Sequence, residues 1–321
     1  GETVERAVIY TLGELLRTSG SPHYRITLEN SVSRSLEKSV SGKRVGTTFR
    51  GLRSNSGTGE LALFYAGASS LKKASPTWWK DNNQQIHEIL NTILWLQKST
   101  GAFAITVPPA FSEELREKIV EDPHYTGEAL IALAYALDTE EDVATKDKVK
   151  GALIKGYEFI NKTYTTGDTQ GVYLMLMAST RILSNSPSLD ATDKKFFTDI
   201  ALAYHDKAYP ILSAADIKNN SCFRADAVGE YVLFAKNLRN VSKERAYRDA
   251  DIDRNMQFRV NPQMKIVVST TSVKYVPLQG SLSLIGGFVN NLEDYSTRLD
   301  YTVHCVSALH AQLEDLVSTS I

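Results

Sequence analysis

Apolar positions along the chain fall into two alternating kinds of segment. Val4, Val8, Thr11, Leu12, Leu15 and Leu16 recur at helical spacing and stop at Ser19-Gly20-Ser21-Pro22, which predicts an amphipathic helix followed by a turn. Residues 23 to 55 lack that period and are rich in Ser, Arg and Gly; within this excursion Tyr24 to Leu28 reads as a short strand. From Gly57 onward the two kinds alternate. Leu61 to Ala66 is apolar on every side, as a helix buried all round must be. A helix over Asn82 to Gln97 instead carries one stripe of Ile86, Ile89, Leu90, Ile93 and Leu94, with His87 and Glu88 on a wet face. Gly127 to Leu137 is again apolar throughout, and Val149, Ala152, Leu153, Gly156, Tyr157 and Ile160 make the single stripe of its successor. Gly171 to Ala178 is of the buried type, while Phe196, Phe197, Ile200 and Tyr204 belong to an amphipathic helix. Ala225 to Ala235 returns to the buried type, before the charged segment Lys243 to Phe258.

This alternation is the mark of stacked helical hairpins, which form an open solenoid or close into a ring. Closure would put the all-apolar helices inside and the amphipathic ones outside. Residues 260 to 290 interrupt the pattern with two segments that read as strands, Lys265 to Ser269 and Ser272 to Val276, and a turn at Gly286-Gly287-Phe288. A last helix, Tyr301 to Val317, would close a ring.

Three phrases carry a resemblance. They are Ile93-Leu94-Trp95-Leu96-Gln97 followed by Gly101-Ala102-Phe103, then Tyr125-Thr126-Gly127-Glu128-Ala129-Leu130, and last Gly286-Gly287-Phe288 with Arg298-Leu299-Asp300-Tyr301, His304 and Ser307-Ala308-Leu309. From Gly57 onward the chain resembles the (α/α) toroids of the six-hairpin glycosidase-like superfamily, including uncharacterised bacterial members. The resemblance implies an all-α fold, a single toroid domain over residues 1–321 with about five to six hairpins, and short β insertions near residues 23–55 and 262–290.

Composition narrows the function without naming it. A formal net charge of −1 gives no whole-molecule attraction for nucleic acid, which is not expected as a partner. No apolar run is long enough for a transmembrane helix, so membrane insertion is not expected either. The chain opens at Gly1 directly into helical pattern, which is what removal of a leader would leave; a periplasmic or secreted location is the expectation. The oligomeric state is not legible. Cys222 and Cys305, the only cysteines, make neither a disulfide framework nor a CxxC pair. Cys222 with His304-Cys305 is the one metal-like set, similar to zinc-bearing lanthionine-cyclase toroids but with the adjacent Cys and His in the opposite order. No metal and no cofactor are expected. A GxGxxG, a P-loop and a GxSxG are absent.

Candidate chemistry lies at the heads of the buried segments. Gly59-Glu60, Gly127-Glu128 and Gly229-Glu230 each set a carboxylate before an apolar run, an unfavourable place for a charge unless it faces a cavity, a partner or its own helix end. Gly171 is followed by Val172, so the carboxylate is not needed to build a hairpin. In a toroid these heads surround one mouth. Glu60, His124, Tyr125, Glu128, Arg224, Asp226, Glu230, Asp300 and His304 are then expected to line one cavity, with Arg298 and the sugar-stacking Trp78 as further contacts. Glycoside hydrolysis needs two carboxylates across the bond: Glu128 is the expected acid, with Asp300 or Glu230 as its partner. In a uronate lyase or epimerase, His304 or Tyr125 would remove the proton and Arg224 or Arg298 would neutralise the sugar carboxylate. The expected ligand is a small molecule or oligosaccharide; the alternative is a non-catalytic toroid that binds a peptide, glycan or protein.

Overall fold

Pro22 and Pro76 sit where a chain leaves a turn, and each opens a helix, because proline lacks only an N–H that the first helical turn leaves unpaired anyway. The computed structural model describes residues 2–40, 57–108, 112–163 and 169–213, and the helical positions Asp226, Gly229, Glu230, Leu233, Phe234, His304, Val306, Ser307 and His310. The fold is all-α. Its helices are α1 (Glu2–Ser19), α2 (Pro22–Val40), α3 (Thr58–Ala68), the short α4 (Leu71–Ala74), α5 (Pro76–Trp95), α6 (Glu113–Lys118), α7 (Pro123–Thr139), α8 (Val143–Thr163), α9 (Thr169–Asn185) and α10 (Ala191–Ser213). The chain divides into two compact units, Gly1–Tyr204 and His205–Ile321.

In the first unit the alternation of buried and half-wet helices holds. Helix α3 is buried from Thr58 to Ala68 apart from Glu60, and α7 from Thr126 to Leu137 apart from Tyr135. Such helices need neighbours on every side: α3 lies between α1 and α7, and α7 between α3 and α9, with α5 and α8 laid against them. Helix α5 buries Ile86, Ile89, Leu90 and Ile93 of its expected stripe, with Leu94 half-buried, and α8 buries Val149, Ala152, Leu153, Gly156, Tyr157 and Ile160, as expected. The Tyr157 hydroxyl bonds to Ser179 Oγ at 2.8 Å and Thr180 Oγ1 at 2.9 Å, and its ring meets Phe197 edge-on.

Two expectations are corrected. Tyr24 to Leu28 is not a strand but part of α2, whose buried side is Leu28, Val32, Ser35 and Leu36, while Ile26 is exposed. A single line of leucine, valine and leucine four apart, set among Ser, Arg and Glu, suffices when the partner surface is already apolar. The rest of the expected β insertions, 41–55 and 262–290, lies outside the described residues. In α1 the helix is as expected but its face is turned: Arg6, Ile9, Thr11, Gly13 and Leu16 are buried, whereas Val8, Leu12 and Leu15 are half-buried. The cause is a backbone contact. A Cβ on Gly13 would lie 2.7 Å from Gly67 Cα, and one on Gly67 would lie 2.6 Å from the Ile9 carbonyl carbon, so α1 and α3 meet through glycines.

At the C-terminal ends of α1, α7 and α9 a charged network replaces apolar packing. Arg17 stacks 3.6 Å from the Tyr135 ring centre and donates to Ser69 Oγ, while Glu14 accepts from Tyr135 and pairs with Arg17 and Arg181. Burial, foremost, keeps the Tyr135 phenol protonated.

Candidate functional site

The Leu-x-x-Gln phrase proves to be a fastening. After α5 the chain turns at Gly101, whose φ of +95° suits glycine and whose missing side chain lets the turn lie against Lys155. Gln97 Nε2 donates to Gly101 O at 3.1 Å and to Ala152 O of α8 at 2.8 Å. Antiparallel bridges then pair Gln97 with Phe103, Ala104 with Glu121 and Gly57 with Thr106. The Phe103 amide donates to Thr126 Oγ1 of α7 at 3.1 Å, and the Thr58 amide donates to Ile105 O at 3.0 Å. One strap, residues 97–107, thus holds the heads of α3 and α7.

Those heads differ. In α3, Glu60 sits in the first turn and accepts from the Gly57 amide at 3.4 Å, so it serves its own helix. In α7 that task falls to Asp122, which accepts from the His124 amide at 2.8 Å ahead of Pro123. Helix α7 therefore starts earlier than its apolar run, and Glu128 lies in its second turn, too far along to cap it.

Glu128 is only 7% exposed, its Oε2 is buried with no hydrogen-bond partner, and its Oε1 lies 3.5 Å from His124 Nε2. Two glycines make room. A Cβ on Gly59, in the first turn of α3, would lie 2.6 Å from the Glu128 carboxyl carbon, and one on Gly171, at the head of α9, would lie 2.7 Å from His124 Cε1. Gly127 brings α7 against Met175 of α9, where a Cβ would lie 2.8 Å from the Met175 Cβ. Three buried helices converge where their side chains are smallest, and a carboxylate fills the gap.

Tyr125 reports the field there. Burial, then Glu128, Asp122 and Glu60, push its phenol above its ordinary value, so it stays protonated and can donate a hydrogen bond. This runs against Tyr125 as a proton-abstracting base. Together Glu60, His124, Tyr125 and Glu128 form a cluster in which the phenol keeps a proton that it can donate.

The second unit holds a separate pairing. Asp226, 5% exposed, meets His304 Nδ1 through Oδ2 at 2.8 Å, while its Oδ1 is buried without a hydrogen-bond partner. A carboxylate on Nδ1 fixes the ring's orientation. Glu230, one helical turn beyond Asp226, is also buried. The two partners lie 78 positions apart in sequence, and no local pattern announces the pair. Trp78 works at another joint: in the first turn of α5, its Nε1 donates to Ser33 Oγ of α2 at 3.1 Å. Arg224, Arg298, Asp300, Cys222 and Cys305 lie outside the described residues. Among the described residues, no group of three or more His, Cys, Asp or Glu could hold a metal ion, and no helix is long and apolar enough to cross a membrane.

No protein-family model matches the chain, and no curated protein matches it. The functional reading therefore rests on the residues themselves.

Proposed function

We propose that the protein is a carbohydrate-active enzyme of the (α/α)-toroid type, with Glu128 as the proton-transferring group. The observation that carries this reading is a buried carboxylate with one oxygen toward His124 and the other without a donor, which its own helix does not use. A purely structural glutamate would find donors for both oxygens, because a buried carboxylate oxygen without one costs stability, and here only Oε1 has a partner. Tyr125 supplies a proton-bearing phenol for a substrate oxygen. Between the two reactions, glycoside hydrolysis is favoured over uronate lyase or epimerase chemistry, since a phenol surrounded by carboxylates is a poor base.

A second reading, a non-catalytic glycan- or peptide-binding toroid, draws support from Glu60 and Trp78, which are engaged in capping α3 and in joining α5 to α2. The test is a panel of oligosaccharides assayed for new reducing ends with the wild type and Glu128→Gln. Loss of general acid catalysis should lower turnover by about a hundredfold or more. Equal turnover in the variant would remove Glu128 from the chemistry, and binding without turnover would favour the second reading.

A further inference from the structure

In two of the three Gly-Glu phrases a threonine comes first, as Thr58-Gly59-Glu60 and Thr126-Gly127-Glu128, whereas Val228 holds that place before Gly229-Glu230. Both threonines are fully buried, and their hydroxyls meet adjacent peptide units of the strap: Thr126 Oγ1 accepts from the Phe103 amide at 3.1 Å, and Thr58 Oγ1 donates to Ala104 O. Neither hydroxyl caps its helix, since Gly57 and Asp122 hold the cap positions. Valine would fill the same space, but it would leave the buried Phe103 amide without its acceptor. Ala104 also bridges to Glu121, so the strap grips the head of α7 on either side of Asp122 to Tyr125.

Between those grips stands Tyr125. It is half-buried rather than closed off, and carboxylates of both helix heads, Glu128 and Glu60, act on its phenol. A donor set between two helices is only as well placed as the helices are. We infer that Thr126, with Thr58 as its counterpart on α3, is a positioning residue for the Tyr125 phenol, and, resting on the carbohydrate reading, for the hydrogen bond that this phenol donates to a substrate oxygen.

The experiment follows Tyr125 by NMR in the full chain, with a carbon isotope at the tyrosine Cζ and the signal identified by its loss in Tyr125→Phe. In the wild type that signal should keep its phenol position to higher pH than an ordinary tyrosine does, as burial and the neighbouring carboxylates require. Thr126→Val should bring the transition to lower pH. Thr126→Ser, which keeps the hydroxyl, should leave it in place, and so should Gly67→Ala, which strains the fold at the other end of α3. Should Thr126→Val not fold, Thr126→Ala takes its part, since the smaller side chain lets water meet the Phe103 amide. A transition unmoved by loss of the hydroxyl, or moved as far by Thr126→Ser or Gly67→Ala, overturns the inference. No substrate enters this measurement, so its failure is distinct from failure of the carbohydrate reading. On a glycan that the wild type turns over, Thr126→Val should lower kcat about tenfold with KM within about threefold, and a loss confined to KM overturns the role in turnover.

Discussion

The contact between α1 and α3 can be tested with one methyl group. In Gly67→Ala the new Cβ would lie 2.6 Å from the Ile9 carbonyl carbon and 2.8 Å from Ile9 Cγ2, against an ordinary carbon–carbon separation of about 3.5–4.0 Å. The obstacle is largely backbone, so no rotamer change relieves it and the helices must part by about 1 Å. Overpacking of this kind costs about 3 kcal/mol, at the upper end of its usual range, and replacing a helical glycine by alanine returns about 1 kcal/mol. The net loss is about 2 kcal/mol, or about 4–8 °C in Tm for a cooperative unit of this size. Gly151→Ala is the internal control. Gly151 lies inside α8, and its Cβ would meet nothing within 4 Å, so the same substitution should raise Tm by about 2–4 °C. Thermal unfolding of the two variants, followed by circular dichroism, should move in opposite directions. A Gly67→Ala protein that melts at or above the wild-type temperature would refute the close approach of α1 to α3.

Three further outcomes follow from other contacts. Gly59→Ala should change stability by less than about 1 kcal/mol, because the atom it strikes is the far end of the Glu128 side chain, yet displacing that carboxylate should abolish turnover on any glycan found to be a substrate; retained activity would argue against the placement of Glu128. Tyr157→Phe should cost about 1–2 kcal/mol in denaturant unfolding, since it removes the buried hydroxyl shared by Ser179 and Thr180, and an unchanged midpoint would contradict that bond. Burial alone would raise the Glu121 carboxyl, but the Lys98 ammonium and the Thr100 hydroxyl outweigh it and hold the group below its ordinary value. A depressed folded pKa means the contribution is complete above the unfolded value of about 4.3 and is lost as pH falls through the folded one, so stability curves of wild type and Lys98→Met should converge on acidification. Parallel curves down to the acid limit would sink this assignment.

Much of the first unit was legible because burial on all sides and burial on one side leave different traces in a sequence. Leu61 to Ala66 and Val149 to Ile160 needed only their own pattern. Helix α2 was not legible, since its Leu28, Val32 and Leu36 line is thinner than the polar residues around it. The face of α1 was misjudged for a related reason: hydrophobicity favours Val8, Leu12 and Leu15, while close packing chose Gly13. At the site, Gly127-Glu128 looked like a helix head because the apolar run begins there; Pro123 and Asp122 set the true start, and they are signals of capping rather than of hydrophobicity. At the heads of α3 and α7 the charges of Glu128, Asp122 and Glu60 act on the Tyr125 phenol and His124 lies against Glu128, whereas the bond between Asp226 and His304 depends on tertiary contact alone.

The strap at 97–107 gives the cluster a mechanical property. Its backbone binds Thr58 on one side and Thr126 on the other, and Lys98 grips Ile119 O and Glu121, just ahead of α7. The spacing between Gly59 and Glu128 is thus gauged by a short length of extended chain, as a ruler laid across two posts. Because Gln97 also ties the strap to α8, that gauge is anchored at its start, and a change of a single residue in the strap would reset it.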